Sequence, residues 1–327
     1  MIRIGIVGYG NLGRGAEGAV HRNPDMELAA VFTRREPSAV VPDTPGVPVV
    51  RVDDAPSWAD RIDVMILCGG SAEDLPVLTP HFARHFNVVD SFDNHAAIAG
   101  HFAEVDRAAR ESGHVALVSA GWDPGLFSVQ RLLGAVILPE GESYTFWGKG
   151  VSQGHSQAIR CIPGVTDARQ YTIPKEEMLC QIRNGEMPRV TPHEMHHRHC
   201  VVVAEGGTDR AAIEEEIKAM PNYFAGYNTT VEFVDRETLL HEYGGLPHGG
   251  TVIRSGRTGW ADECHQIMEF RLQLESNPQF TAAVLVACAR AVSRLNARGE
   301  RGCKTVFDLA PSDLSAMSGV ELLRKFL

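Results

Sequence analysis

The chain has 327 residues, 44% hydrophobic and 22% charged, which allows two domains with sizeable cores and is ordinary for a soluble globular protein. Its formal net charge of −10 argues against general binding to nucleic acid or to an anionic membrane surface. No apolar run approaches the ~20 residues of a membrane-spanning helix, the opening MIRIGIVGYG lacks a signal-peptide layout, and the expected compartment is the cytoplasm.

IRIGIV (2–7) reads as a buried strand, YGNLGRGAEGAVHR (9–22) as a turn and helix, and MELAAVFTR (26–34) as a second strand. A proline-rich loop follows. DVMILC (63–68), NVVDSF (87–92) and HVALVSA (114–120) are further apolar strands, separated by helices around 74–86 and 96–112. Strands alternating with helices, and too apolar for a one-sided sheet, predict a doubly wound parallel α/β sheet. After Gly125 the texture changes. SYTFWGKG, ARQYTIP, HCVVVAE and NTTVEFVD alternate and are rich in Thr, Tyr, Val and Phe, which predicts a second α+β domain with a mixed sheet. TAAVLVACARAVSRLNAR (281–298) and ELLRKFL read as closing helices. The first carries apolar residues on too much of its surface to stand exposed, so it packs on the first domain or on a partner chain. Seven scattered cysteines with no CxxC pair argue against a disulfide framework.

Gly8-Tyr9-Gly10-Asn11-Leu12-Gly13 matches GxGxxG directly after a strand and at the start of a helix, the context of a dinucleotide fingerprint. Gly8 permits the tight turn, Gly10 lets the backbone approach a pyrophosphate, and Gly13 lets helix and strand pack closely. The helix N-terminus adds unpaired N–H groups. An NAD-specific site would place an acid at the end of the second strand. This chain has Thr33, Arg34 and Arg35 there, which suit a 2′-phosphate, so the expected cofactor is NADP(H). Cys68, Gly69, Gly70, Ser71 and Ala72 follow the strand DVMILC, and small residues there let backbone approach a cofactor.

His193-Glu194-Met195-His196-His197 fits the zinc pattern HExxH. That chemistry needs both outer histidines on one helix face. Pro192 precedes the match, and His199, Cys200 and a β-branched run follow it, which is strand-entry context. No metal is expected, and a zinc hydrolase built on His193 and His197 is a competing reading. Arg198, a fixed charge leading into the strand, is the residue of interest there.

Longer blocks carry a resemblance. IVGYGNLGRG, FTRRE, CGGSAED, DSFDNH, VALVSAGWDPGLFS, TFWGKGVSQGHSQAIRCIPGV, QYTIP, MPNYFAGY, LPHGG and NPQFTA resemble the blocks of the meso-diaminopimelate dehydrogenase family over nearly the whole chain. MPRVTPHEMHHRHC and RTGWADECHQI depart from that pattern. The resemblance implies NADP(H)-dependent, reversible oxidative deamination of meso-2,6-diaminopimelate at its D-centre. Ammonia is released and the keto acid cyclises to tetrahydrodipicolinate, for lysine and peptidoglycan precursors. It also implies a homodimer.

Carried across by residue, the resemblance places Asp93 and Asp123 near the reacting amino group, as the catalytic candidates. Trp122 and Trp147 are implied as walls around the substrate. Thr172, Arg198, His248 and Asn277 are implied as the grip on the far L-centre. Those residue types suit the substrate, because ammonium groups want carboxylates and carboxylates want Arg, His and hydroxyl donors. Trp122 and Asp123 would then explain why an apolar strand ends in GWDPG. His155, in SQGHS, is given no role. The implied division assigns 1–120 to dinucleotide binding, with 301–327 packing back on it. Residues 151–274 bind substrate, and 121–150 with about 275–300 form a dimerisation region. A non-catalytic NADP-binding sensor is the other competing reading.

Overall fold

The computed structural model describes residues 1–221 and 223–327; Asn222, inside the MPNYFAGY block, lies outside them. The chain divides into two compact units, Met1–Val129 with Pro278–Leu327, and Gln130–Asn277.

The first unit is built on seven strands in the order Val49–Arg51, Met26–Thr33, Ile2–Val7, Val64–Leu67, Asn87–Asp90, Val115–Leu117 and Gly302–Lys304. All neighbouring pairs are parallel. The order reverses between Ile2–Val7 and Val64–Leu67, the switch point at which doubly wound sheets bind ligands beyond their strand C-termini. The apolar runs are continuous because both faces are covered. Met65 and Leu67 pack on one side with Phe82, Val105 and Ala108. Val64 and Ile66 pack on the other with Ala16, Val20, Leu285 and Val286. The sheet is therefore sandwiched by helices Leu75–Phe82 and Ile98–Ser112 on one face, and Asn11–His21 and Asn277–Ala297 on the other. Two edge strands, Val49–Arg51 and Gly302–Lys304, have only three residues, too few to show a period in sequence.

One expectation needs correcting. Helix Asn277–Ala297, 21 residues, is long and apolar enough to span a membrane by length and composition. It is a core helix of the first unit. Ala282, Leu285, Val286, Ala289, Val292 and Leu295 are buried against the sheet. Its buried Arg290 is neutralised by Asp25 at 2.7 Å and bonded to Asn23 at 2.6 Å. Its scattered Arg and Ser interrupt the apolar run while the mean hydropathy stays high.

The second unit holds two sheets. A mixed four-stranded sheet runs Asn228–Phe233, His196–Ala204, Val165–Pro174, Gly150–Val151, with only the first pair parallel. An antiparallel three-stranded sheet runs Cys264–Leu274, His248–Thr258, Gly141–Trp147. The mixed sheet packs through Ala168, Cys200 and Val202 on Ile159, Ile213 and Ile217 of its helices.

Candidate active site

Every nucleotide-binding candidate lies at or just past the C-terminal end of a strand in the first unit. Gly8 follows Ile2–Val7 with φ +89°, a conformation that favours glycine. A Cβ on Gly13 would lie 2.2 Å from the Gly8 carbonyl oxygen, so strand and helix meet there as closely as the fingerprint requires. A Cβ on Gly10 would meet nothing within 4 Å. Gly10 caps the helix that begins at Asn11 without any side-chain hydrogen bond, so this terminus presents backbone N–H groups to open space. Leu12 turns the other way, into the core. Buried Tyr9 donates its hydroxyl to Glu17, whose other oxygen accepts the Thr44 N–H at 2.6 Å. Burial, then the Glu17 bond, pushes the Tyr9 phenol up to about 12.

The arginines converge as the second strand ends. The Arg35 guanidinium donates to the Tyr9 carbonyl at 2.7 Å, and the Arg35 N–H donates to the buried Thr33 hydroxyl at 3.1 Å. Arg34 pairs with Asp74 at 2.8 Å, and Asp74 also accepts the Gly70 N–H at 2.8 Å. Asp74 thus ties the arginine turn to the loop Cys68–Ala72. Arg51, on the neighbouring edge strand, donates to the Arg34 carbonyl at 3.2 Å. Three guanidinium groups at two adjacent strand ends, beside a helix N-terminus with open space before it, fit a dinucleotide bearing an extra phosphate. The sequence reading missed Asp74 and Arg51. Asp74 stands within the quoted CGGSAED block; Arg51 follows a proline-rich loop and carries no local signal.

Asp93 and Asp123 follow the next two strands of the same sheet. The Asp93 N–H donates to Ser71 Oγ at 2.9 Å, linking its loop to the Cys68–Ala72 loop. Trp122 is buried and meets Phe127 edge-on, with ring centroids 5.2 Å apart. The turn that carries Asp123 is tight, since a Cβ on Gly125 would fall 1.9 Å from the Gly121 carbonyl oxygen. Upstream of both loops sits an unforeseen group, Asp90. It is fully buried, and its carboxylate accepts from Thr79 Oγ1 at 2.8 Å, Ser119 N–H at 2.8 Å and Phe92 N–H at 3.1 Å. His101 Nε2 completes the set at 2.7 Å.

The remaining candidates belong to the second unit. Thr172 and Arg198 are direct cross-strand partners, and both are buried. Arg198 donates to Thr172 Oγ1, and its guanidinium lies 4.2 Å from the Tyr227 ring centroid. Its Nε is buried with no partner, and among the described residues it has no carboxylate beside it. Burial lowers its pKa. His248 packs over Gly150, where a Cβ would fall 2.6 Å from its ring, and its Nδ1 accepts the Gly249 N–H at 2.8 Å. Trp147 pairs with Gly250 on the adjacent strand. Asn277 begins the long helix, its N–H donating to the Leu246 carbonyl at 3.0 Å. His155 Nδ1 lies 2.7 Å from Ser152 Oγ, and burial, with Arg198 adding to it, drives its pKa down to about 4.

The HEMHH segment is a single helical turn that passes directly into a strand. Thr191 and Glu194 form a capping box around the single turn Pro192–Met195, with the Thr191 N–H and hydroxyl donating to Glu194 at 2.7 and 2.8 Å. A strand starts at His196, so His196 and Arg198 turn inward while His197 and His199 turn out. His193 packs on Tyr227 and His197 meets Thr230 Oγ1, so the two would-be ligands have different surroundings. Among the described residues, no group of three or more His, Cys, Asp or Glu could hold a metal ion. His196 instead supports Trp147. Its Nε2 accepts the Trp147 N–H at 2.9 Å, its Nδ1 donates to the Pro192 carbonyl at 2.9 Å, and the two rings stack. Burial drives its pKa down to about 4, in keeping with a neutral ring that accepts at one nitrogen and donates at the other.

Comparison with known proteins gives a consistent set of likenesses. Residues 121–276 match the family model for the diaminopimelic acid dehydrogenase C-terminal domain. The chain is 58% identical over 327 residues to a meso-diaminopimelate D-dehydrogenase of Ureibacillus thermosphaericus, covering 100% of this chain and 99% of that one. A C. glutamicum DAP dehydrogenase solved in complex with DAP is 44% identical with a TM-score of 0.92, covering 100% of this chain and 99% of that one. An engineered D-amino acid dehydrogenase bound to NADP+ is 43% identical with a TM-score of 0.87, again covering 100% and 99%.

Proposed function

The chain belongs to the meso-diaminopimelate D-dehydrogenase family, and on that premise we propose that Asp93 and Asp123 receive the reacting ammonium while Thr172, Arg198, His248 and Asn277 hold the far L-centre. The activity is NADP-dependent oxidative deamination of meso-2,6-diaminopimelate at its D-centre, in lysine biosynthesis. Bound NADP+ supplies the hydride acceptor, so no protein nucleophile is needed. Gly8, Gly10 and the helix N-terminus at Asn11 would hold its pyrophosphate, and Thr33, Arg34 and Arg35 its 2′-phosphate. A carboxylate beside the amine stabilises the ammonium on binding and can accept its proton, which frees the nitrogen lone pair to assist hydride departure from the D-carbon; water then hydrolyses the resulting imine to the keto acid and ammonia. Trp122 and Trp147 limit the space around the substrate.

The observation that carries the substrate reading is the state of Arg198. A guanidinium removed from water with a free Nε, and without a carboxylate beside it, is costly unless an anion completes it. A substrate carboxylate has the matching charge and planar geometry. We also propose that the enzyme works as a cytoplasmic homodimer. Helix Leu126–Ile137 supports this by exposing Leu132, Leu133, Val136 and Ile137 along one stripe.

Steady-state assays of Arg34→Ala and Arg35→Ala with both cofactors test the reading. Wild type should release one ammonia for each NADPH formed. Each variant should raise the NADP+ KM roughly tenfold to a hundredfold, the worth of one charge-assisted bond, with the poor NAD+ reaction little changed. Equal losses for NADP+ and NAD+ in both variants would sink the 2′-phosphate assignment.

A further inference from the structure

We propose that Asp90 is a positioning residue for the reaction, its buried carboxylate locking together the loops that carry Asp93 and Asp123. The proposal rests on the reading that those two carboxylates receive the reacting amine. Asp90 ends the strand Asn87–Asp90, three residues before Asp93. One oxygen, Oδ1, accepts both the Phe92 N–H of the Asp93 loop and the Ser119 N–H of the Asp123 loop. Its main-chain carbonyl accepts the Ala120 N–H at 2.9 Å, a second tie to the Asp123 loop. The other oxygen, Oδ2, is held from behind by Thr79 and His101. His101 is itself fixed, stacked on Phe92 with centroids 4.2 Å apart.

Two features point past plain stability. The two partners of Oδ1 are backbone N–H groups that can only donate, while the Thr79 hydroxyl donates to Oδ2 and His101 Nε2 lies 2.7 Å from it, so a carboxylate fits the set as it stands and an asparagine fits it only if Thr79 and His101 both turn to accept from its NH2 group. Ser119 adopts φ +56°, an uncommon conformation for a residue with a Cβ, and its hydroxyl is buried without a partner. The loop is thus held in a shape that Ser119 does not favour by itself, by the bonds from the Ser119 N–H to the Asp90 carboxylate and from the Ala120 N–H to the Asp90 carbonyl. That shape sets where Asp123 emerges four residues later.

A double-mutant cycle tests the role. Asp90→Asn should lower kcat for meso-diaminopimelate by on the order of tenfold to a hundredfold, as a small misplacement of reacting groups does. NADPH affinity, read by fluorescence titration, should stay near wild type. In an Asp123→Asn background the same change should add little, because Asp90 acts through that loop. Full additivity together with weakened NADPH binding would mean a general structural role and overturn the proposal. Thr79→Val, which removes one donor from Oδ2, carries the same cycle should Asp90→Asn not fold. Loss of kcat in Asp93→Asn and Asp123→Asn with none in Asp90→Asn would overturn the positioning role alone. Wild-type kcat in both of the former would overturn the carboxylate reading and this proposal with it.

Discussion

Asp123→Asn should lower kcat on meso-diaminopimelate by on the order of a hundredfold, with kcat/KM falling in parallel. The substitution keeps size and hydrogen bonding and removes only the charge. An ammonium binds a carboxylate through charge-assisted bonds about twice as strong as neutral ones, and a neutral amide cannot take up a proton as the amine reacts. The turn itself should survive, because Gly121 and Gly125 pack it through close backbone contact. Steady-state kinetics at saturating NADP+ check this. An unchanged kcat with a raised KM would make Asp123 a binding group remote from the reacting carbon.

Arg198→Ala should act differently, raising the KM for diaminopimelate while kcat falls less. Truncating one member of a buried charge pair costs ~2–5 kcal/mol, so the rise should be about thirtyfold or more. Some kcat should be lost as well, since remote binding orients the reacting carbon. A short D-amino acid lacks the distal carboxylate, so its already poor reaction should be hurt far less. An unchanged diaminopimelate KM would move the distal carboxylate to another partner. Arg183 is engaged by Glu269 through two bonds of 2.7 and 2.9 Å, which leaves Arg189 as the next residue to vary.

The nucleotide half was legible because its signals are local. A strand, GxGxxG and a helix fall within about twenty residues, and each glycine meets a steric demand that the structure displays at Gly8 and Gly13. What sequence hid depends on strands meeting at the switch point. Arg34 and Asp74 are forty residues apart and pair because their strand ends adjoin Ile2–Val7 from opposite sides. Asp90 reads as the polar end of the strand NVVD, and nothing near it in sequence announces Thr79, His101 or Ser119. The HEMHH match misleads because the TPHE capping box overlaps it, although the proline and the β-branched run did signal the strand that follows. The hairpin His248–Thr258 with Cys264–Leu274 was missed because its first strand opens with HGG, which reads as a turn, although MEFRLQL (268–274) in the second does alternate. Thr172 and Arg198 became a pair only through the register of two strands that sequence left unpaired.

The most direct measurement is the initial rate of NADPH formation with the meso, LL and DD isomers of diaminopimelate at equal concentration. An enzyme that oxidises a D-centre while gripping an L-centre should turn over the meso isomer far faster than either of the others. The LL isomer offers no D-carbon, and the DD isomer offers the wrong configuration to Thr172, Arg198 and His248. Turnover of the LL isomer at the meso rate, or no preference among the three, would contradict the account.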